Sequence, residues 1–205
     1  MMYKARCSLM TGQNDVRVSL TFPEEIQRDL LHRGILVFNE DIDANSLDLF
    51  QQHFLYVTQK LGLLRVTVLL TTNGGALDCA LGVYDLIAGA PEPCQVDVVA
   101  NGYCYSAGVI VLQAGKRRLI TPNTVLMIHE CSTVQFGKMT EVEEDVRFIK
   151  RLERRVNEIL TKRSKLSLTA LSRRTKGKNW WLMPEEALKW QLVDDIVSLS
   201  DILRL

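Results

Sequence analysis

Three consecutive segments constrain the fold more than any other part of the chain: Gly34 to Phe38, Ala44 to Leu61 and Arg65 to Thr71. The first and third are apolar strands, and the middle one is an amphipathic helix with Leu47, Phe50, Phe54, Val57 and Leu61 on one side. Two strands separated by a helix of that length pair in parallel through a crossover rather than as a hairpin. The pattern then repeats. Asn73-Gly74-Gly75 leads into a helix from about Leu77 to Ala88, Gln95 to Ala100 is the next strand, and a turn of small residues delivers Ser106 to the start of a helix ending near Gly115. Short strands follow at Arg118 to Ile120 and Val125 to Ile128. Stacked βαβ units on a parallel sheet, an α/β class, are the expectation.

The flanks are read the same way. Val16 to Phe22 alternates as an edge strand would, and Pro23 opens a short helix through Leu31. From Thr140 to Arg163 runs a long charged helix with Val142, Val146, Ile149, Leu152, Val156 and Ile159 at spacings of three and four. Glu143 with Arg147 and Glu158 with Lys162 stand at i,i+4 on its polar side. Its apolar stripe is narrow for its length, so the helix is expected to project from the domain. The basic run Lys162 to Lys178 is taken as a solvated helix end and loop, with Trp180 and Trp181 packing on the long helix or a neighbour. Pro184-Glu185-Glu186 starts the last helix, and Leu192-Val193-Asp194 leads into a closing strand.

Composition excludes several functions. At 205 residues and 47% apolar, the chain can bury a core without metals or disulfides, and a net charge of +1 argues for neither nucleic acid nor an anionic membrane. No aromatic residues interleave the basic run, as single-strand binding would need. The five cysteines are scattered and show no metal or redox spacing, so they are expected to be reduced, mostly buried thiols. No metal or cofactor is expected, and the absence of a signal-peptide core or spanning run points to a cytoplasmic location.

Two residues could carry chemistry. Ser106, at a helix N-terminus, has free N–H groups nearby that favour a developing anion. A serine hydroxyl needs a base, and histidine suits that task. Of three histidines, His32 reads as solvated and His53 as a half-exposed packing residue, while His129 ends an apolar strand. Gly74-Gly75 ends the preceding strand, where backbone N–H groups can approach a bound oxygen without a Cβ in the way. Ligands of α/β proteins usually sit at strand C-terminal ends.

These motifs in order resemble the Clp protease proteolytic subunit: Asn73-Gly74-Gly75, Gly102-Tyr-Cys-Tyr-Ser106-Ala-Gly108, Pro122-Asn123, Met127-Ile128-His129, and Pro184-Glu-Glu-Ala187 with Leu192-Val193-Asp194. The resemblance covers about Asp29 to Ile196. It implies a ClpP/crotonase-like spiral of stacked βαβ units, with residues 1–22 as an N-terminal leader or axial segment. Residues 23–205 would form the peptidase domain, with a handle helix at about 138–165. It also implies Ser106 as nucleophile, His129 as base, and the Gly75 and Ala107 N–H groups as the oxyanion hole. The substrate would be an unfolded polypeptide, lying along Gly74, Thr133, Gln135 and Phe136 and fed by an AAA+ unfoldase. The assembly would be a homo-oligomer of heptameric rings, or rings mixed with a paralogue.

Departures from the family pattern define the alternatives. Asn179 stands where the family has the aspartate that orients the histidine, which implies reduced or conditional activity. Cys131 replaces a proline, Gln191 a glycine, and Thr133 to Gly137 a glycine-rich strand. A catalytically inactive ring subunit is one alternative. A crotonase-type acyl-CoA hydratase or isomerase is another, although such enzymes need carboxylates rather than a serine and histidine pair.

Overall fold

The alternation of strands and helices is realised as a sheet whose main path is parallel. The computed structural model describes residues 22–132 and 136–203, so the segment expected as an edge strand lies outside them except for Phe22, which opens a helix. The order is α1 (Phe22–His32), β1 (Ile35–Asn39), α2 (Ala44–Leu55), β2 (Arg65–Thr72), α3 (Leu77–Ala88), β3 (Gln95–Tyr105), α4 (Ala107–Gln113), β4 (Arg118–Ile120) and β5 (Val125–Ile128). Then come α5 (Met139–Lys162), α6 (Leu168–Thr175), β6 (Trp180–Leu182), α7 (Pro184–Lys189), β7 (Asp195–Ile196) and α8 (Leu199–Leu203). Strands β1-β2-β3-β4-β7 lie side by side, all parallel. A branch leaves the end of β3, where β5 pairs in parallel and β6 joins β5 antiparallel.

Local chemistry explains these elements. Asp43 caps α2: its Oδ1 accepts the Ser46 N–H at 2.8 Å, and Ser46 Oγ accepts the Asp43 N–H at 2.9 Å. Phe50 and Phe54 on α2 stack at 5.7 Å, and Phe50 meets Phe38 of β1 edge-on at 5.9 Å. Val66, Val68 and Leu70 of β2 and Val83 and Ile87 of α3 are buried in one core cluster. Each such side chain contributes roughly 1.5–3 kcal/mol by leaving water. Every residue of α4 is buried, so the apolar run after Ser106 is a helix enclosed by the sheet, α3 and α5.

Several expectations are corrected. The helix expected to run to Leu61 changes hydrogen-bond pattern after Leu55, and Tyr56–Lys60 form a π-helical turn. β3 continues through the small residues expected as a turn, because Tyr103–Tyr105 find a second partner in β5. The basic run contains α6, capped by Ser167 Oγ accepting the Ala170 N–H at 3.1 Å. Glu143 pairs with Arg147 as expected, but Glu158 turns back to Arg154 at 3.2 Å instead of forward to Lys162. Trp180 and Trp181 make their ring contacts with residues outside the long helix. Trp180 meets Trp190 edge-on at 6.1 Å with the Arg174 guanidinium over both rings, and Trp181 meets Tyr105 edge-on at 5.3 Å.

The four described cysteines are free, and of these only Cys104 is fully buried; Cys79, Cys94 and Cys131 are partly exposed, and Cys7 lies outside the described residues. Among the described residues no helix is long and apolar enough to cross a membrane.

Along α5 the packing is uneven. Val156, Ile159 and Leu160 are buried, while Val146 and Phe148 nearer its start are exposed, together with Met139 at its first position. The second half belongs to the core and the first half projects from it.

Candidate active site

Ser106 owes its position to a change of partner along β3. Residues 98–100 pair with β4, but Thr121 and Thr124 then form a hydroxyl pair at 2.6 Å, and Thr124 Oγ1 accepts the Gly102 N–H at 2.9 Å. That pair parts β4 from β3. The register against β2 also slips between Leu70 and Thr72, so β3 gains residues and carries Ser106 beyond the end of β2. There the chain turns sharply into α4, with Ser106 at φ 52° and ψ −120°. A serine held at positive φ is strained, and such strain gathers at functional sites. Its N–H donates to Met127 O at 2.7 Å, tying the turn to β5 just before His129.

His129 and Ser106 meet: Nε2 and Oγ lie 2.7 Å apart. With the ring proton on Nδ1, the hydroxyl donates to Nε2, which is the arrangement a general base needs. The other histidines are engaged elsewhere. His32 stands edge-on to Tyr56, and His53 Nε2 lies 3.0 Å from the Gln27 amide, its pKa lowered by partial burial.

The glycine pair lies beside the serine. A Cβ on Gly74 would stand 2.8 Å from Ser106 Cβ and 3.0 Å from the Ala107 nitrogen. Gly75, at φ 148°, is clamped against Ile42: Ile42 N–H donates to Gly74 O and Ala76 N–H to Ile42 O, each at 2.8 Å. Neither the Gly75 nor the Ala107 N–H donates to an acceptor among the described residues. Ala107 is the first residue of α4 and so has no partner within its own helix. Gly75 and Ala107 line the same cleft as Ser106.

A Gly75→Ala protein would place its Cβ 2.1 Å from Ile42 O, at a backbone angle alanine avoids. We expect it to lose more than about 1 kcal/mol of stability, read by thermal melting.

Asn179 is exposed, and among the described residues no hydrogen bond joins it to His129. It is nonetheless close in register. The β5–β6 ladder ends with Ile128 opposite Trp180, and one further step of the same antiparallel pairing sets His129 opposite Asn179. Phe136 is 90% exposed, while Thr133 and Gln135 lie outside the described residues.

A cleft of about 80 Å³ opens at Ser106, Ala107 and His129. Leu77, Ile110, Ile128, Val156 and Leu160 wall it, and Glu130, Cys131 and Ser132 follow along its edge. The sequence alone does not assign Ile110, Glu130, Ser132 or Leu160 to the site. Glu130 was within reach as the neighbour of His129, but the arrival of Val156 and Leu160 from α5 depends on tertiary packing. No group of three metal-binding side chains stands together among the described residues.

A parallel α/β sheet here brings a serine hydroxyl and a histidine ring into contact at its strand ends, the class of architecture on which peptidases are built. The family model for Clp protease matches residues 22–200, and the chain belongs to that family. Among solved structures, an asparagine-to-aspartate mutant of ClpP1 from Listeria monocytogenes matches with a TM-score of 0.75 and 22% identity, over 86% of this chain and 98% of that one. The mixed sheet with its projecting helix is thus the ClpP fold.

Proposed function

We propose that the chain is a serine endopeptidase subunit that cleaves unfolded polypeptides. The observation that carries this reading is the 2.7 Å contact between Ser106 Oγ and His129 Nε2 at the strand ends. Ser106 Oγ attacks the peptide carbonyl carbon as its proton passes to Nε2, and the Gly75 and Ala107 N–H groups hold the resulting oxyanion. The imidazolium then gives that proton to the leaving amine as the C–N bond breaks. Water, deprotonated by the same ring, hydrolyses the acyl ester and restores the hydroxyl. Asn179, not bonded to His129 in this structure, orients the ring through its amide oxygen only on moving within reach, and it supplies no charge.

The exposed apolar residues of the projecting half of α5, Val146 and Phe148 among them, suit contact with a second copy, and rings built on such contacts enclose the sites. An ATP-dependent unfoldase feeds them. A non-catalytic ring subunit is the competing reading, favoured by the neutral, exposed Asn179. The apolar cleft, with hydroxyl and imidazole in contact, does not favour acyl-CoA chemistry.

The test is covalent labelling of the full chain, alone and with candidate unfoldases or paralogues, using a fluorophosphonate. Attachment at Ser106, located by peptide mass, and its loss in Ser106→Ala and His129→Ala are the expected result. Absence of labelling in every assembly would sink the peptidase reading.

A further inference from the structure

The cleft beside Ser106 is lined largely by aliphatic side chains and by one exposed carboxylate, Glu130. Ile110, Val156 and Leu160 form one side of it, and Glu130 lines it immediately after His129. A second carboxylate arrives from the long helix. Glu153, less than one turn before Val156, accepts the Cys131 N–H on Oε1 at 3.4 Å, and Cys131 itself lines the cleft.

Among the described residues neither Glu130 nor Glu153 is in an ion pair, whereas Glu141, Glu143 and Glu158 on the same helix each have a basic partner. The nearby thiol senses both acids. Cys131 is pushed up to about 11, by burial first and then by the charges of Glu153 and Glu130. The charges of both carboxylates thus reach Cys131, which lines the cleft.

Resting on the reading of Ser106 as nucleophile, we infer that this cleft receives the side chain on the acyl side of the cleaved bond and selects lysine or arginine there. The match is chemical at both ends. The methylene stem of a basic residue lies along Ile110, Val156 and Leu160, and its cationic head reaches Glu130 and Glu153. A leucine fills the walls but leaves two carboxylates facing an apolar group with less water around them. A glutamate brings a like charge to the same edge and is repelled. Glu130 and Glu153 are therefore specificity-determining residues, and neither takes part in proton transfer.

Fluorogenic peptides that differ only in the residue before the reporter amide, lysine, leucine or glutamate, test this with the full chain, with fluorophosphonate labelling of Ser106 run in parallel. The expected kcat/KM for lysine exceeds that for leucine by about tenfold and that for glutamate by about a hundredfold. Glu153→Gln keeps an acceptor for the Cys131 N–H, and combined with Glu130→Gln it should bring lysine and leucine within about threefold of each other. Added salt provides a reading that needs no variant: the lysine rate falls with ionic strength while the leucine rate holds. A wild-type preference for leucine, or equal rates, with Ser106 still labelled overturns the specificity and leaves the nucleophile in place. No hydrolysis of any peptide and no labelling overturns both.

Discussion

Asn179→Asp should raise peptide hydrolysis at least tenfold, within a ceiling of about ten thousandfold set by the reverse change in serine proteases. The argument begins with the ladder between β5 and β6. Its last pair, Ile128 with Trp180, leaves His129 and Asn179 as the next residues facing each other. When Ser106 gives up its proton, the ring beside it becomes cationic, and a carboxylate at residue 179 stabilises that cation while an amide does not. A carboxylate also accepts the Nδ1 proton in either rotamer, whereas a flipped amide presents its NH2 and favours the wrong tautomer. Because Asn179 is exposed and has no hydrogen bond to another described residue, the substitution should leave the melting temperature nearly unchanged. A gain in kcat at constant stability therefore reports on chemistry. No activity in either form would support the ring-scaffold reading, since a sound dyad with its orienting acid restored has no further reason to be silent.

The parts of this site that were legible in the sequence are those with local grammar. Leu77–Ala88 is a helix because its apolar residues repeat with the right period after a glycine turn, and Val125–Ile128 is a strand because it is short, apolar and bounded by turns. Ser106 and His129 were readable as candidates by type and position, and ordered motifs made them a pair. What local grammar misses is partnership. Nothing in Gly102 to Tyr105 shows that β5 waits to pair with them, so a strand reads as a turn. The helix α6 hides for another reason: Leu168, Leu171 and Thr175 keep helical spacing, but the surrounding arginines and lysines dominate the impression of the segment. Glu153 reads as one more charge on a solvated helix, and only the packing of α5 brings its carboxylate to the Cys131 N–H.

Arg118→Ala should cost about 3 kcal/mol of stability, and the reasons connect the base of the long helix to the turn that holds Ser106. The Arg118 side chain is 3% exposed. Its Nε donates to Asp194 Oδ2 at 3.1 Å, and Nη2 donates to Asp194 Oδ1. Nη1 reaches Gln113 Oε1 at 2.8 Å and the Arg163 carbonyl at 3.3 Å. Gln113 is the last residue of α4 and donates in turn to Leu192 O at 3.0 Å, while Arg163, just past α5, holds the Gly115 carbonyl at 2.6 Å and Asp194 at 3.2 Å. Alanine would strand a carboxylate, an amide oxygen and a carbonyl around a cavity, which is the costly way to break a buried pair. The value lies at the low end for such a loss because Asp194 remains 34% exposed and water can reach it. Arg118→Lys keeps the charge but loses the fork, so it should fall between wild type and alanine. The pH dependence distinguishes this origin from simple cavity formation. Partial burial alone would raise the Asp194 pKa, but the hydrogen bonds from Arg118 and the charges of Arg118 and Arg163 outweigh it and hold the carboxyl below its ordinary value. A carboxyl depressed in the folded state stabilises the fold above its unfolded pKa and loses that contribution as pH falls through the folded one. The difference in melting temperature between wild type and Arg118→Ala should therefore be full at neutral pH and narrow below about pH 4. A gap that stays constant into the acid range would assign the loss to packing alone. If the ion pair also anchors α4, the variant should lose fluorophosphonate reactivity at temperatures well below its own melting point, because Ser106 sits at the other end of the helix that Gln113 closes.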